Sequence, residues 1–384
     1  MRKKTGIGLA LALVATAAVL AATLGGRAAP ASAAAGDLAS CTNVKLGMMA
    51  PLTGPAAFLG QEQLSWVNFA VYKFNKENGT KFGVAQGDSQ LSASLARTVG
   101  RKFVSNKDIF GVVGGSTSQS VISSADLFEK ANLASVSGSA TRVSLTNGQF
   151  KTFFRVVPHD GIQAPTIVAF VAGKLKAKKV TVIDSQDDYS VPLADGVEKG
   201  LKARGVRVDR QSVSATETDF STIVTNVESD TRVVVFATQT ASAANTLSQQ
   251  LIEQGKKAVV FGTDGAYSPT QYKPKNGYVS SFANDLNFLP AARPIVAEYK
   301  KWSKGKAFGM FGPPSYMAAW VLLTAIKAAC ADDSVTRGEV VQWVRKTYIP
   351  SILGGRVAFS PKGDPLPTKF YVFEVTKGKY RNVA

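Results

Sequence analysis

The chain is poor in the residue on which many enzymes depend, because its 384 residues include a single histidine, His159. A Ser-His-acid triad or a histidine-based metal site therefore has almost nothing to draw on. His159 follows Pro158 at the point where two predicted sheets join, which favours a linker or hinge residue over a catalytic one. We predict no catalytic residues, no metal site, no cofactor and no enzyme activity.

Nucleotide-binding motifs are missing as well. Gly114-Gly115 follows a buried apolar run, but the loop lacks the Gly-Lys-Ser/Thr ending of a P-loop and the G-x-G-x-x-G spacing of a dinucleotide site. No helix-turn-helix precedes Cys41, which excludes a repressor that binds DNA through such an element.

Acidic residues are few beside the basic ones, 27 against 45, and the formal net charge at pH 7 is +18. Four of the positive charges, Arg2, Lys3, Lys4 and Arg27, lie in the first 33 residues, and removing them leaves +14. The remaining basic residues are dispersed and are not interleaved with stacking aromatic residues. This favours a solvated surface over a nucleic-acid partner. Attraction to anionic envelope polymers or lipid headgroups is the alternative.

Only one long apolar run is present, at residues 7–24. It follows the basic start Met1-Arg2-Lys3-Lys4 and precedes Ala31-Ser32-Ala33, which is the three-part layout of a secretory signal peptide over residues 1–33. A membrane anchor is the alternative, since about 18 apolar residues can span a bilayer. We therefore predict export to an extracellular or periplasmic location, either soluble or tethered at the outer face of the cytoplasmic membrane.

Cysteine is scarce, with only Cys41 and Cys330. An even count in an exported chain favours one disulfide, which would tie the segment after the leader to a distant helix. The alternative is that residues 38–41 form a lipobox in which Cys41 is lipidated. Arg27 and Pro30 separate Cys41 from the apolar run, which speaks against a lipobox.

Strand and helix patterns alternate from Asn43 onward, which predicts parallel sheets covered by helices on both faces. The pattern restarts after Pro158, where the second unit is predicted to begin with a helix over residues 166–175. About 350 residues after the leader exceed what one core usually serves, so two α/β lobes joined by a multi-strand hinge are expected. The predicted boundaries are residues 42–159 with 283–360 for the first lobe, and residues 160–282 with 361–384 for the second.

Two serine-rich turns follow neighbouring strands of the first unit. Gly114-Gly115 leads into Ser116, Thr117 and Ser118 at a helix start, where backbone N–H groups and hydroxyls can hold a carboxylate. Ordinary N-capping explains the same residues equally well. The second turn, at residues 137–141, opens on the same carboxyl edge of a parallel sheet, where ligands bind.

The equivalent edge of the second unit carries polar side chains at residues 184–189, 238–240 and 263–265. Asp264 offers a carboxylate for an ammonium group, and the face of Tyr189 can attract the same cation. A turn aspartate before glycine and a surface tyrosine are the alternatives.

The order and spacing of these segments resemble the branched-chain amino acid (Leu/Ile/Val) substrate-binding proteins of ABC transporters, which have the type I periplasmic-binding-protein fold, or Venus flytrap. The matching segments are Val44-Lys45-Leu46-Gly47, residues 51–55, 111–115, 137–141, 154–158 with Asp160, 179–189, 219–221 and 261–265. The resemblance covers nearly all of the chain after the leader.

The resemblance implies roles for particular residues. Ser118 matches the serine that holds the ligand carboxylate, Ala140 and Thr141 with Ser139 match the turn that contacts carboxylate and ammonium, and Tyr189 matches a tyrosine of the opposite lobe. Three positions depart from the family pattern. Asp264 replaces a glutamate that accepts the ammonium, Leu59 falls near a pocket tryptophan, and Gln239 falls near a pocket tyrosine.

The resemblance further implies a monomer that binds an amino-acid-like solute between its lobes, closes about the hinge and docks on an ABC permease. The departures at Leu59, Gln239 and Asp264 speak against assuming a branched aliphatic ligand. A sensory module of the same fold, which detects amides or amino acids, is the alternative function.

Overall fold

The structure is a computed structural model that describes residues 39–331, 334–366 and 369–384. The predicted signal peptide lies outside these residues. Among the helices that they form, none combines the length and the apolar character that crossing a bilayer needs.

Strands and helices alternate along most of the described chain. The strands are β1 (Ala39–Ser40), β2 (Lys45–Ala50), β3 (Gly83–Asp88), β4 (Ile109–Val113), β5 (Ala134–Ser137), β6 (Phe153–Arg155), β7 (Lys179–Asp184), β8 (Arg207–Ser212), β9 (Val233–Ala237), β10 (Val259–Gly262), β11 (Gly277–Ser281), β12 (Ser334–Val335), β13 (Tyr348–Pro350), β14 (Arg356–Ala358), β15 (Tyr371–Thr376) and β16 (Lys379–Asn382). The helices are α1 (Ala57–Asn78), α2 (Ala93–Ser105), α3 (Ser118–Lys130), α4 (Asp160–Val168), α5 (Ser190–Lys202), α6 (Ser221–Asn226), α7 (Ala241–Glu253), α8 (Arg293–Trp302), α9 (Gly312–Ala329) and α10 (Arg337–Arg345).

The first lobe is built on a parallel sheet in the order β3-β2-β4-β5-β6. Its central strand β4 has the sequence IFGVV and is buried throughout, as a strand covered on both faces must be. Helix α9 packs so closely on this strand that a Cβ atom at Gly111 would lie 2.7 Å from Leu322 Cδ2. Glycine at position 111 thus allows the helix to contact the sheet.

The second lobe is built on a sheet in the order β16-β15-β11-β10-β9-β7-β8. The strands from β8 to β11 run parallel, whereas β15 and β16 add an antiparallel edge. The apolar strands β7 (KVTVID) and β9 (VVVFA) are buried along their whole length. The predicted two-lobed α/β fold is confirmed.

The chain passes between the two sheets after β6, after β11 and after β14. Three crossings form the multi-strand hinge that the sequence predicts. The residue boundaries predicted for the two lobes stay a prediction.

The prediction for the first helix of the second unit was wrong, because α4 begins at Asp160 and not at residue 166. A proline inside a helix removes a backbone hydrogen bond, so it is normally confined to the first turn. In the structure Pro165 lies inside α4, and the start is set by His159, whose Nδ1 accepts a hydrogen bond from the Gly161 N–H at 3.1 Å. The one histidine of the chain therefore caps a helix beside the hinge.

Cys41 and Cys330 form the predicted disulfide, which joins positions separated by 289 residues. Beside it, β1 pairs antiparallel with β12, so the segment after the leader is held to the chain beyond α9 by backbone and covalent bonds together. A Cys41 sulfur in this bond is not available for a lipid.

Replacing both cysteines by serine is expected to lower the free energy of unfolding by about 2 to 4 kcal/mol, because the bond closes a very long loop in the unfolded chain. Urea unfolding of the oxidised wild type and the double variant measures the difference. A reductant should lower the midpoint of the wild type and leave that of the double variant unchanged. Equal midpoints for the oxidised wild type and the double variant would show that the bond contributes no stability.

Candidate functional site

A narrow cavity lies between the two lobes, at the carboxyl ends of their parallel strands. The first lobe and its crossing segment contribute Leu59, Ser116, Thr117, Ser118, Ser139 and Phe311 to its lining. The second lobe contributes Tyr189, Gln239, Asp264 and Gly265. The predicted residues Leu59, Ser118, Ser139, Tyr189, Gln239 and Asp264 are thus brought together, whereas Ala140 and Thr141 are buried behind the lining.

The start of α3 forms one wall of the cavity. Thr117 is the N-cap, because its Oγ1 accepts the Ser120 N–H at 3.4 Å. Ser118 follows it as the first helical residue, and its Oγ accepts the Arg142 N–H at 3.3 Å. A hydroxyl that accepts one hydrogen bond still has its own hydrogen to donate. N-capping and carboxylate binding were both predicted for this loop. They apply to different residues, since Thr117 caps the helix and Ser118 has a hydroxyl free to donate into the cavity.

The neighbouring turn at residues 137–142 is fixed by hydrogen bonds from beneath. Ser137 Oγ accepts the Ala140 N–H at 3.0 Å, and the buried guanidinium of Arg155 donates to the carbonyl oxygens of Ala140 and Arg142 at 3.3 and 2.8 Å. The hydroxyl of Ser139 donates to Ser116 O at 2.6 Å and accepts from Gln63 Nε2 at 2.7 Å. Ser139 has therefore already used its hydrogen within the wall.

Asp264 stands on the opposite wall, in the short turn after β10. Its Oδ1 accepts from the Tyr189 hydroxyl at 2.5 Å and from Gln163 Nε2 at 2.6 Å. Burial raises the pKa of Asp264 to about 6, against the effect of these hydrogen bonds. Burial and the negative charge of Asp264 raise the pKa of Tyr189 well above its ordinary value, so the phenol stays a donor.

Gly265 lets this turn approach the loop after β9. A Cβ atom at this position would lie 2.4 Å from the carbonyl oxygen of Thr238. Any side chain would push the two loops apart and displace Asp264 and Gln239, which are adjacent to the contact.

Asp160 lies close enough to Asp264 to feel its charge, although it is not among the residues that line the narrow cavity. It is 5% exposed, and neither carboxylate oxygen makes a hydrogen bond within the described residues, nor does the nearby hydroxyl of Thr141. Burial, reinforced by the charge of Asp264, raises the pKa of Asp160 well above its ordinary value. The only sequence signal was its place in the segment from Phe154 to Asp160 that resembles the family.

Phe311 was not predicted from the sequence, although it supplies an aromatic wall. Its ring makes edge contacts with Phe58 and Phe282 at centroid distances of 6.0 and 5.6 Å. Leu59 and Gln239 stand near positions where the resemblance predicts aromatic residues. Phe311 restores aromatic surface from a distant part of the chain.

The lobes touch each other directly across the cleft. Arg142 Nη1 of the first lobe donates to the Asp188 carbonyl oxygen at 2.8 Å and pairs with its Oδ1 at 3.1 Å. Gln239 Nε2 of the second lobe donates to Gln119 Oε1 of the first at 3.2 Å. These contacts describe a closed conformation.

Comparison with known proteins agrees with this architecture. The sequence profile of the family described as periplasmic binding protein matches residues 43–379. The "Leu/Ile/Val-binding protein homolog 3" of Brucella melitensis is 29% identical over 89% of this chain and 94% of its own length. The "Amino acid binding protein" of Pseudomonas aeruginosa is 26% identical over 89% of this chain and 92% of its own.

Solved structures show the same fold. The leucine binding protein LivK of Thermotoga maritima superposes with a TM-score of 0.79 at 22% identity, covering 89% of this chain and 98% of that one. A second structure is the branched-chain amino acid transporter substrate binding protein LivJ of Streptococcus pneumoniae, solved with isoleucine. It superposes with a TM-score of 0.77 at 21% identity, covering 88% of this chain and 99% of that one. The predicted resemblance is confirmed: the chain belongs to the periplasmic binding protein family and is a substrate-binding protein of the type I fold.

Proposed function

We propose that the protein is the extracytoplasmic solute-binding component of an ABC uptake transporter and that it carries an α-amino acid or a close analogue to the permease. In this role the cleft binds its ligand and releases it chemically unchanged. The observation that carries it is the placement of hydrogen-bond donors on one wall of a closed cleft and of buried carboxylates on the other.

The ligand carboxylate is assigned to the α3 wall. The first N–H groups of a helix have no partner inside that helix, and the helix dipole adds positive charge there. Ser118 supplies a hydroxyl at this point, and Thr141 supplies a buried hydroxyl without a partner in the described residues. A carboxylate at this wall would accept from Ser118, and from Thr141 where it reaches past the lining.

The ligand ammonium is assigned to Asp264 and Asp160. Burial raises the pKa of both carboxyl groups, and the charge of Asp264 raises that of Asp160 further. Such a pair is costly without a cation, because a buried charge needs a partner of opposite sign. An ammonium group between them would supply that partner. Tyr189 would hold Asp264 in position and add a π face for the cation.

Closure follows from this division of roles. The donors for the carboxylate lie on the first lobe, whereas Asp264 and Tyr189 lie on the second, so one zwitterion bridges both. A ligand that binds the closed form preferentially shifts the population toward it. A permease that docks on the closed form would then receive loaded protein.

The proposal is tested by thermal denaturation with each of the twenty standard amino acids, after unfolding and refolding to remove any co-purified ligand. A ligand that binds only the folded state raises the melting temperature by mass action. We expect a group of amino acids to do so at millimolar concentration or below. If none of the twenty raises it, the proposed ligand class is wrong.

Affinity for the zwitterion is expected to fall in mild acid. The pKa of Asp264 in the unliganded protein is about 6, and only the ionised carboxylate attracts an ammonium group. From the plateau above pH 7, the affinity should drop by roughly tenfold at pH 5, since about nine in ten Asp264 side chains are then protonated. Calorimetric titrations at pH 5, 6 and 8 measure this. An affinity that stays constant over this range would contradict the assignment.

A further inference from the structure

The cleft contains a second, larger cavity beyond the one that holds the proposed ligand site. This outer cavity has about 1490 Å³ of open space and is lined by residues of both lobes. Gln119 lines the outer cavity, whereas Gln239 lines the inner one. The two side chains are hydrogen-bonded to each other at 3.2 Å, so together they separate the two cavities.

Asp187 completes this partition. The amide nitrogen of Gln239 donates to Gln119 Oε1 and also to Asp187 Oδ2, each at 3.2 Å. Its two hydrogens are therefore shared between the first lobe and the second. Gln119 and Gln239 are each 5% exposed, so little of either residue is in contact with solvent.

The partition is anchored at each end. Asp187 Oδ1 accepts the N–H groups of Tyr189 and Ser190 at 2.9 and 2.7 Å, which fixes it at the start of α5. Gln119 lies in the first turn of α3, next to Ser118. Neither end can move without disturbing a wall of the ligand site.

We propose that Gln119, Gln239 and Asp187 form a wall that limits the length of the ligand side chain. The inference rests on the proposed function, since it concerns the far end of the same site. Leu59 and Phe311 line the inner cavity and suit a short aliphatic or hydroxyl-bearing side chain. A longer side chain must displace Gln239 and break both of its hydrogen bonds, including the bond to Gln119 that joins the two lobes.

The outer cavity predicts what an opened wall would admit. Asp187, Asp188 and Asp195 line it, but Arg142 pairs with Asp188 and Arg210 pairs with Asp195. Asp187 is therefore the lining carboxylate that makes no ion pair within the described residues. A side chain that passed the wall would therefore be favoured if it carried a cation, as arginine does.

Calorimetric titration with alanine, serine, valine and arginine tests the wall. The wild type is expected to bind the best of the three short amino acids at least tenfold more tightly than arginine. Gln239→Ala should narrow this ratio by tenfold or more, because it opens the inner cavity to the outer one. Gln119→Ala opens the same wall from the other lobe and should act in the same direction.

Two control variants separate length exclusion from other effects. Gln239→Met keeps the bulk of the wall but not its hydrogen bonds, so all ligands should weaken while the ratio is kept. Val191→Ala enlarges the outer cavity without touching the wall and should change neither the affinities nor the ratio. The melting temperature of each variant shows that it is folded.

The proposed wall is contradicted if the wild-type protein binds arginine as tightly as the short amino acids. It is contradicted as well if Gln239→Ala and Gln239→Met change the ratio of short-ligand to arginine affinity alike. It is also overturned if both alanine variants keep the wild-type ratio. In each of these cases amino acids still bind and the proposed function stands. Absence of amino-acid binding to the wild type would remove the proposed function and the wall together.

Discussion

Replacing Asp264 by asparagine is expected to weaken binding of the cognate amino acid by about 2 to 5 kcal/mol, which is roughly 30-fold to 4,000-fold in the dissociation constant. Asparagine keeps an oxygen that can accept from Tyr189 and Gln163, so the local packing is retained. The lost quantity is the negative charge that faces the ligand ammonium. Calorimetric titration of wild type and variant at pH 8 measures the change.

The same substitution should leave the unliganded protein at least as stable as the wild type at neutral pH. The pKa of Asp264 is raised from 3.8 to about 6, so its burial costs folding free energy above pH 6. That cost shrinks as the pH falls from 6 and disappears below pH 3.8, where the side chain is protonated in the folded and the unfolded state alike. Any advantage in the melting temperature of Asp264→Asn over the wild type should therefore shrink between pH 7 and pH 4.

Asp219→Asn is the matched control, since it makes the same chemical change at an exposed position of the second lobe outside the cavity lining. It should bind ligand as the wild type does. Wild-type affinity in Asp264→Asn would show that the ammonium group is not seated on this carboxylate. A variant that is both unfolded and inactive would not decide the question, and Asp264→Glu, which keeps the charge, is then expected to retain binding.

Replacing Arg155 by methionine is expected to lower the free energy of unfolding by about 3 kcal/mol, since it leaves buried partners without their donor. The guanidinium is fully buried and donates to Asp364 Oδ1 at 2.7 Å as well as to the turn that carries Ala140 and Arg142. This loss is at the lower end of the range for a broken buried pair, because the side chain of Asp364 is 22% exposed and keeps some contact with water.

Urea unfolding measures this effect, and ligand affinity reports a second consequence. Because Arg155 fixes the turn next to Thr141, the methionine variant should also bind the amino acid less tightly. Arg155→Lys keeps the charge but lacks the planar fork that reaches several acceptors. Its free energy of unfolding and its ligand affinity should therefore lie between those of the wild type and Arg155→Met. Unfolding of Arg155→Met at the wild-type urea concentration would show that the buried guanidinium does not support the turn.

Much of the fold is visible in the sequence because parallel strands that are covered on both faces are continuous apolar runs. Ile109–Val113 and Lys179–Asp184 occur in the structure as predicted from this pattern alone. The carboxyl edge of each sheet then locates Ser118 and Asp264, since loops at that edge face the same cleft. Local pattern and topology suffice for these residues.

The rest of the site depends on tertiary contacts that no local pattern carries. Phe311 reaches the cavity from the segment before α9, far along the chain from Leu59. The missing partners of Asp160 become evident only when the groups around it are known. The bond between Gln119 and Gln239 joins two lobes, and either residue alone looks like an ordinary polar side chain next to a helix start.

The central claim is that the cleft binds both charged groups of an α-amino acid at once, and three calorimetric titrations test it most directly. The ligands are the best-binding amino acid, the amine left when its carboxylate is removed, and the acid left when its ammonium group is removed. We predict measurable binding for the amino acid and a loss of at least a hundredfold for each of the other two. If the amine or the acid binds as tightly as the amino acid, the two-walled arrangement of Ser118 and Thr141 opposite Asp264 and Asp160 is not how the ligand is held.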